Sequence, residues 1–157
     1  MKKDEAAGKE AGNKAFDIGA IDTVKGSDEG ARIELTHPFN GSKTGVFIKV
    51  LGKHSTTFRE LVRERSNRRV KLEAHAARRG KPMEPRTAEQ LEADAIELLV
   101  ACTLGWDSGD EAKQVIPYKG EELAYNVPNC KRVYTEMIWV REQVDNAIGD
   151  LENFIKA

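Results

Sequence analysis

Between Tyr134 and Ile155 the chain places Met137, Ile138, Val144, Ile148, Leu151 and Ile155 at three- and four-residue intervals. That is the spacing of one helix face. A helix with such a stripe needs an apolar surface to lie against, so the rest of the chain, or a partner, must supply one. Trp139 adds an aromatic anchor. Nothing in this stretch is arranged for bond-making chemistry, and the segment reads as a packing surface. Tyr134, Ile138, Trp139, Val144, Ile148 and Leu151 are the candidate protein-binding residues.

The chain has 157 residues, enough for one domain with a modest core. Residues 1–14 are rich in charge, Ala and Gly and offer little to bury, which predicts a disordered tail ahead of a single domain over 15–157. A β-like region follows. Ala31–His37 alternates apolar and polar residues, and Thr44–Leu51 is rich in β-branched and aromatic ones, so the two read as strands. Asn40-Gly41 between them signals a turn, because both residues tolerate positive φ. Phe16–Gly19 and Ile21–Val24 are candidates for a further short strand. A lone hairpin is marginal in water, so this one must pack on helices or pair with another chain.

The remainder reads as helical, which gives an α+β class that is mostly α. A capping box at Thr57-Phe-Arg-Glu60 predicts a long charged helix to Arg79, stopped by Gly80. Its stripe starts apolar at Phe58, Leu61 and Val62 but continues through Arg65 and Arg69, so its middle should project from the core. Pro82 and Pro85 bound a stiff linker. A second capping box, Thr87-Ala-Glu-Gln90, opens a helix whose face runs through Leu91, Ala95, Leu98, Leu99 and Cys102, with Gly105 as the expected stop. Trp106–Asp110 reads as a polar turn and Ile116–Gly120 as an extended piece. Glu121–Asn126 and Asn129–Tyr134 read as brief helical turns before the terminal helix, completing a helical bundle.

Formal charge nearly cancels, at -1, but its distribution is uneven. Arg59 to Lys81 is basic, and from Glu84 onward acids outnumber bases roughly two to one. Opposite halves can attract within one molecule or between copies, which allows a homo-oligomer; two solvated faces account for the same pattern. Arg63, Arg65, Arg68, Arg69 and Lys71 form a candidate basic patch for phosphates. No aromatic residues are interleaved there to stack on bases, and Glu60, Glu64 and Glu73 dilute the charge, so the pattern argues against nucleic acid.

Catalytic signatures are missing from the sequence. His37, His54 and His75 are scattered without ligand spacing, and Cys102 and Cys130 have no C-x-x-C partner. Ser42, Ser55 and Ser66 have no nucleophile elbow. Gly41-Ser-Lys-Thr-Gly45 has the wrong glycine spacing for a phosphate loop. Asp107, Asp110 and Glu111 do not make a calcium loop. No enzyme activity, cofactor or metal is expected. The first residues lack the apolar core of a signal peptide, and no run reaches the ~20 apolar residues of a membrane span. A protein of the reducing cytoplasm is the expectation.

Three passages resemble the tail assembly chaperones of tailed bacteriophages: the β-like opening from Ile33 to Leu51; Leu98-Leu-Val-Ala-Cys-Thr-Leu-Gly-Trp-Asp107; and Tyr125-Asn-Val-Pro128 followed by Ile138-Trp-Val-Arg-Glu-Gln-Val144 and Glu152-Asn-Phe154. The likeness spans roughly residues 16 to 155. It implies a host-cytoplasmic protein that coats the apolar helices of a tape measure protein, helps bring tail tube subunits to it, and is absent from the finished virion. It implies no catalytic residues. Two other readings stand beside it: a structural head–tail connector or tail-tube component whose hairpin joins a ring by strand pairing, and a nucleic-acid-binding accessory protein using the Arg59–Lys81 helix.

Overall fold

Alternation produces strands close to the expected positions: β1 spans Ala31–Thr36 and β2 Lys43–Val50 in the computed structural model, which describes residues 14–155. The tail expected over residues 1–14 lies, Lys14 aside, outside the described residues. In the connecting loop the His37 amide donates to the Ser42 carbonyl at 2.7 Å and the Gly41 amide to the His37 carbonyl at 2.9 Å. Only Gly41 takes positive φ, at 70°; Asn40 closes the turn with its side chain, accepting from the Ser42 amide.

The hairpin is not alone. Strand β3 (Thr103–Asp107) pairs antiparallel with β2, which makes β2 the centre of a three-stranded sheet ordered β1-β2-β3. This overturns the expected helix stop at Gly105 and the polar turn at Trp106. Trp106 faces Ile48 across the sheet, is 1% exposed, and donates its indole N–H to the Leu123 carbonyl at 3.1 Å. A second hairpin follows, β4 (Val115–Tyr118) and β5 (Glu121–Ala124). Lys119 and Gly120 at its tip both have positive φ, 50° and 83°, as a two-residue primed turn demands. The helical turn expected over Glu121–Asn126 is therefore mostly a strand.

The helices follow their caps. Helix α1 (Thr23–Glu29), capped by Asp22, stands where a strand was expected. A short 3-10 turn at Ile18–Ala20 precedes it. Helix α2 (Thr56–Arg78) starts from Ser55, whose hydroxyl accepts from the Phe58 amide at 3.2 Å, so the Thr57 capping box is not used. Gly80, with φ 67°, lies just past its end as expected. Helix α3 (Ala88–Ala101) does use the Thr87–Gln90 box, with both reciprocal bonds formed. Its buried residues are Ile96 and Leu99, while Leu91 is 57% exposed and Ala95 lies outside, so the inward face is turned by one position from the expected stripe. Helix α4 (Val127–Glu136) is longer than the expected turn; Asn126 caps it and Pro128 sits in its first turn. Helix α5 (Ile138–Gly149) ends before Asp150, which caps a 3-10 turn at Leu151–Phe154. The terminal helix is thus broken, and the helical bundle expected for this half includes a hairpin.

One core runs from Leu35 to Phe154. The 3-10 turn at 151–154 closes it by packing on α1. A Cβ at Gly26 would lie 1.8 Å from the Phe154 carbonyl oxygen, and one at Gly52 would lie 2.4 Å from Ser27 Oγ. Both close approaches require glycine. Phe154 itself is 1% exposed.

Candidate protein-binding groove

The two hairpins and the α4–α5 junction border one opening. Helix α4 stops at Met137, whose non-helical backbone (φ -108°, ψ 87°) redirects the chain so that α5 starts at Ile138. The result is an apolar groove of about 230 Å³. Leu35, Val46 and Ile48 line it from the sheet, Ile116, Pro117 and Tyr118 from the second hairpin, and Val133, Met137, Trp139 and Val140 from the helices. Lys119 is the one charged lining residue. The volume is below the ~300 Å³ at which small-molecule sites begin, and is room for one or two apolar side chains.

Its wall is held in place by a charged cluster. Glu136 accepts from the Tyr118 hydroxyl at 3.0 Å, Lys119 Nζ at 2.9 Å and Arg132 Nε at 2.9 Å. Arg132 and Lys119 also approach the Tyr118 ring, at 5.2 and 5.5 Å from its centroid. These bonds, Lys119 first and then Tyr118, lower the Glu136 carboxyl to about 2. Its folded value lies below the unfolded one, so the contribution is present at neutral pH. It is lost as pH falls through the ordinary glutamate range toward about 2.

The six residues singled out as protein-binding separate. Trp139 is half-buried and lines the groove. Ile138 is 53% exposed and does not line the groove. Leu151 is half-buried in the terminal 3-10 turn. Val144 and Ile148 are core residues. Tyr134 is fully buried: Thr103 Oγ1 donates to the Leu99 carbonyl at 2.7 Å, so the Tyr134 hydroxyl donates to Thr103 Oγ1, also at 2.7 Å. Burial raises that phenol well above its ordinary pKa. Tyr134, Val144 and Ile148 therefore cannot anchor a partner in this state. Between α3 and α5, Arg141 donates to Glu92 at 3.0 Å. What the spacing missed is the contribution of the hairpins. Strand alternation already pointed to Leu35 and Ile48; Pro117 and Tyr118 carried no signal beyond an extended piece.

The basic residues stay together on α2, which buries none of its residues. Arg69 donates to Glu73 at 3.0 Å, and Arg65 Nη2 lies 3.6 Å from a Glu97 oxygen, beyond hydrogen-bond length. Arg63, Arg68 and Lys71 have no ion-pair partner among the described residues.

Several titratable groups elsewhere are tied into the fold. Arg32 clamps Asp107 with two bonds, at 3.0 and 2.5 Å, and stacks 3.6 Å over the Phe47 ring, tying β1 to β3 across β2. The guanidinium holds Asp107 below its ordinary pKa. Burial pushes both thiols, Cys102 and Cys130, up to about 11, away from thiolate chemistry. His54 shares a 2.7 Å bond with Thr23. Among the described residues no cluster of His, Cys, Asp or Glu is set to hold a metal, and no helix is long and apolar enough to cross a membrane. Neither a known family, a characterised protein nor a solved structure matches the chain.

Proposed function

We propose that this protein is a holdase for apolar helical segments, acting as a phage tail assembly chaperone that shields a tape measure protein and helps recruit tail tube subunits. The observation that carries the reading is the groove between the hairpins and α5: it opens at the surface, nearly all of its lining is apolar, and Trp139 lies on it. A helix that seats one or two apolar side chains of its stripe in such a groove buries surface it otherwise exposes to aggregation. The sequence resemblance supplies the identity of the client; the groove supplies the physical means of holding one. Ring formation through the edge of β1 is less well supported, because Gln143 already takes the backbone groups at its Thr36 end. Its side-chain oxygen accepts from the Thr36 amide at 3.0 Å and its nitrogen donates to the Thr36 carbonyl at 2.8 Å, in place of a neighbouring strand.

Co-expression with a long, apolar, helical client tests the proposal. Trp139→Ala and Val46→Glu should each lower the yield of soluble client severalfold, while Trp139→Phe retains most of it. Unchanged client yield with both disruptive variants folded, by circular dichroism, would remove the groove from the mechanism.

A further inference from the structure

We propose that the outer half of α2 is a docking surface for the phosphate backbone of double-stranded DNA. The surface is separate from the groove at Trp139, and the inference does not rest on the chaperone reading.

Helix α2 is 23 residues long and buries none of them, a rod of roughly 34 Å fixed at its start. The Ser55 cap and the Asp28 carboxylate, which accepts from the Thr56 amide at 2.6 Å, hold that start against α1. Charge is spread unevenly along the rod. Between Asn67 and Met83 the chain carries Arg68, Arg69, Lys71, Arg78, Arg79 and Lys81 against one acid, Glu73, and the next acid is Glu84 in the linker. All six bases are exposed. Among the described residues only Arg69 of the six is engaged in an ion pair, and its partner is that same Glu73.

The glutamates that dilute the charge along the sequence therefore do not dilute it in space. Glu60 and Glu64 belong to the inner half of the helix, and Glu73 is taken up by Arg69. Arg68, Lys71 and Arg78 follow one another at three- and seven-residue intervals, which sets them on one side of the helix. Arg79 and Lys81 carry the charge on to its far end. From Arg68 to Arg78 is about 15 Å of helix, and duplex DNA carries a phosphate charge about every 1.7 Å of its axis, so these cations meet several phosphates at once. An α-helix about 10–12 Å across also fits a major groove about 12 Å wide. Backbone contacts need no base readout. The outer half has no aromatic ring on which an unpaired base could stack, which favours a duplex over a single strand.

Two other anionic partners fit less well. A helix lying on an anionic membrane needs apolar side chains beside its bases, and an acidic protein needs an apolar anchor within the charged rim. Leu72 and Met83 line the α3 side of the arm, which leaves Val70 as the single large apolar side chain elsewhere on its outer half.

The test uses the full chain and a fluorescent DNA duplex of about 20 base pairs, read by anisotropy across a salt series. Saturable binding is expected, weakening with salt at a log–log slope of roughly -4. The Lys71→Gln, Arg78→Gln, Arg79→Gln triple variant, helical by circular dichroism, should bind roughly tenfold or more weakly, with a slope shallower by about 2 to 3. If that variant loses helix, Lys71→Glu alone, which lies away from the helix end, should still weaken binding severalfold. Arg69→Gln, whose charge is already paired, should change binding less than Lys71→Gln does. Trp139→Ala should bind as the wild type does, which separates this surface from the groove. No binding of the duplex at low salt overturns the proposal, as does equal binding by the helical triple variant. So does tighter binding of phosphatidylserine vesicles, or of polyglutamate, than of the duplex.

Discussion

Helix α5, of 12 residues, buries Val140, Val144 and Ile148 at 5% exposure or less, whereas α2, of 23 residues, buries none. The shorter helix is held by what surrounds it: the sheet on one side and the 151–154 turn that follows it. Its first turn lacks even a side-chain cap. The longer helix has the reverse arrangement, with a Ser55 cap, an internal Arg69–Glu73 pair and helix-favouring residues, but almost no tertiary cover. Such a helix stands on local interactions, so its outer half adds little to the core.

That contrast can be broken by substitution. The largest effect should come from Phe154→Ala, which empties the closure between the 3-10 turn and α1. A stability loss of about 3–5 kcal/mol is expected in denaturant unfolding. A loss below ~1 kcal/mol would mean that the terminal turn frays without consequence. An intermediate effect is expected for Tyr134→Phe, which removes one buried hydrogen bond and leaves Thr103 still bonded to the Leu99 carbonyl. About 1 kcal/mol should be lost, with the fold and any client binding intact. A larger loss of client than of stability would restore Tyr134 as a contact residue. The smallest effect belongs to the arm: Arg69→Ala removes an exposed i,i+4 pair and should shift stability by no more than ~0.5 kcal/mol. If thermal melts show α2 to be as sensitive as the core, then the arm is packed in solution in a way its exposure does not suggest.

Local chemistry made much of this fold legible beforehand. The β1–β2 hairpin needed only alternation and the Asn40-Gly41 pair, and α3 began where Thr87 and Gln90 placed it. Gly80 ended α2 for a reason confined to its own backbone, the freedom to take φ 67°. Errors arose where local preference was neutral. Cys102-Thr-Leu-Gly-Trp106 was read as the end of a helix followed by a turn, and it is a strand because β2 offers a free edge and Leu123 offers a carbonyl to the Trp106 indole. Glu121–Ala124 is a strand for the same kind of reason, its register with β4 being settled by the turn at Lys119-Gly120. Of the candidate groove, Trp139 and Met137 were legible from the helix stripe and Leu35 and Ile48 from strand alternation, but not that they converge. The walls that face α5 come from strands some twenty to a hundred residues distant in the chain, and no spacing within α5 reports them.

By itself the sequence determined that the chain would carry a hairpin, a projecting basic helix and a terminal apolar stripe, because alternation, caps and helical periodicity act over a few residues. Only the tertiary structure decided how that stripe was divided. It put Val144, Ile148 and Tyr134 inside, left Ile138 outside, and set Trp139 beside a groove built from both hairpins. Periodicity says that a face is apolar. Whether each residue on that face meets a neighbour or an opening depends on long-range packing, which no local pattern encodes.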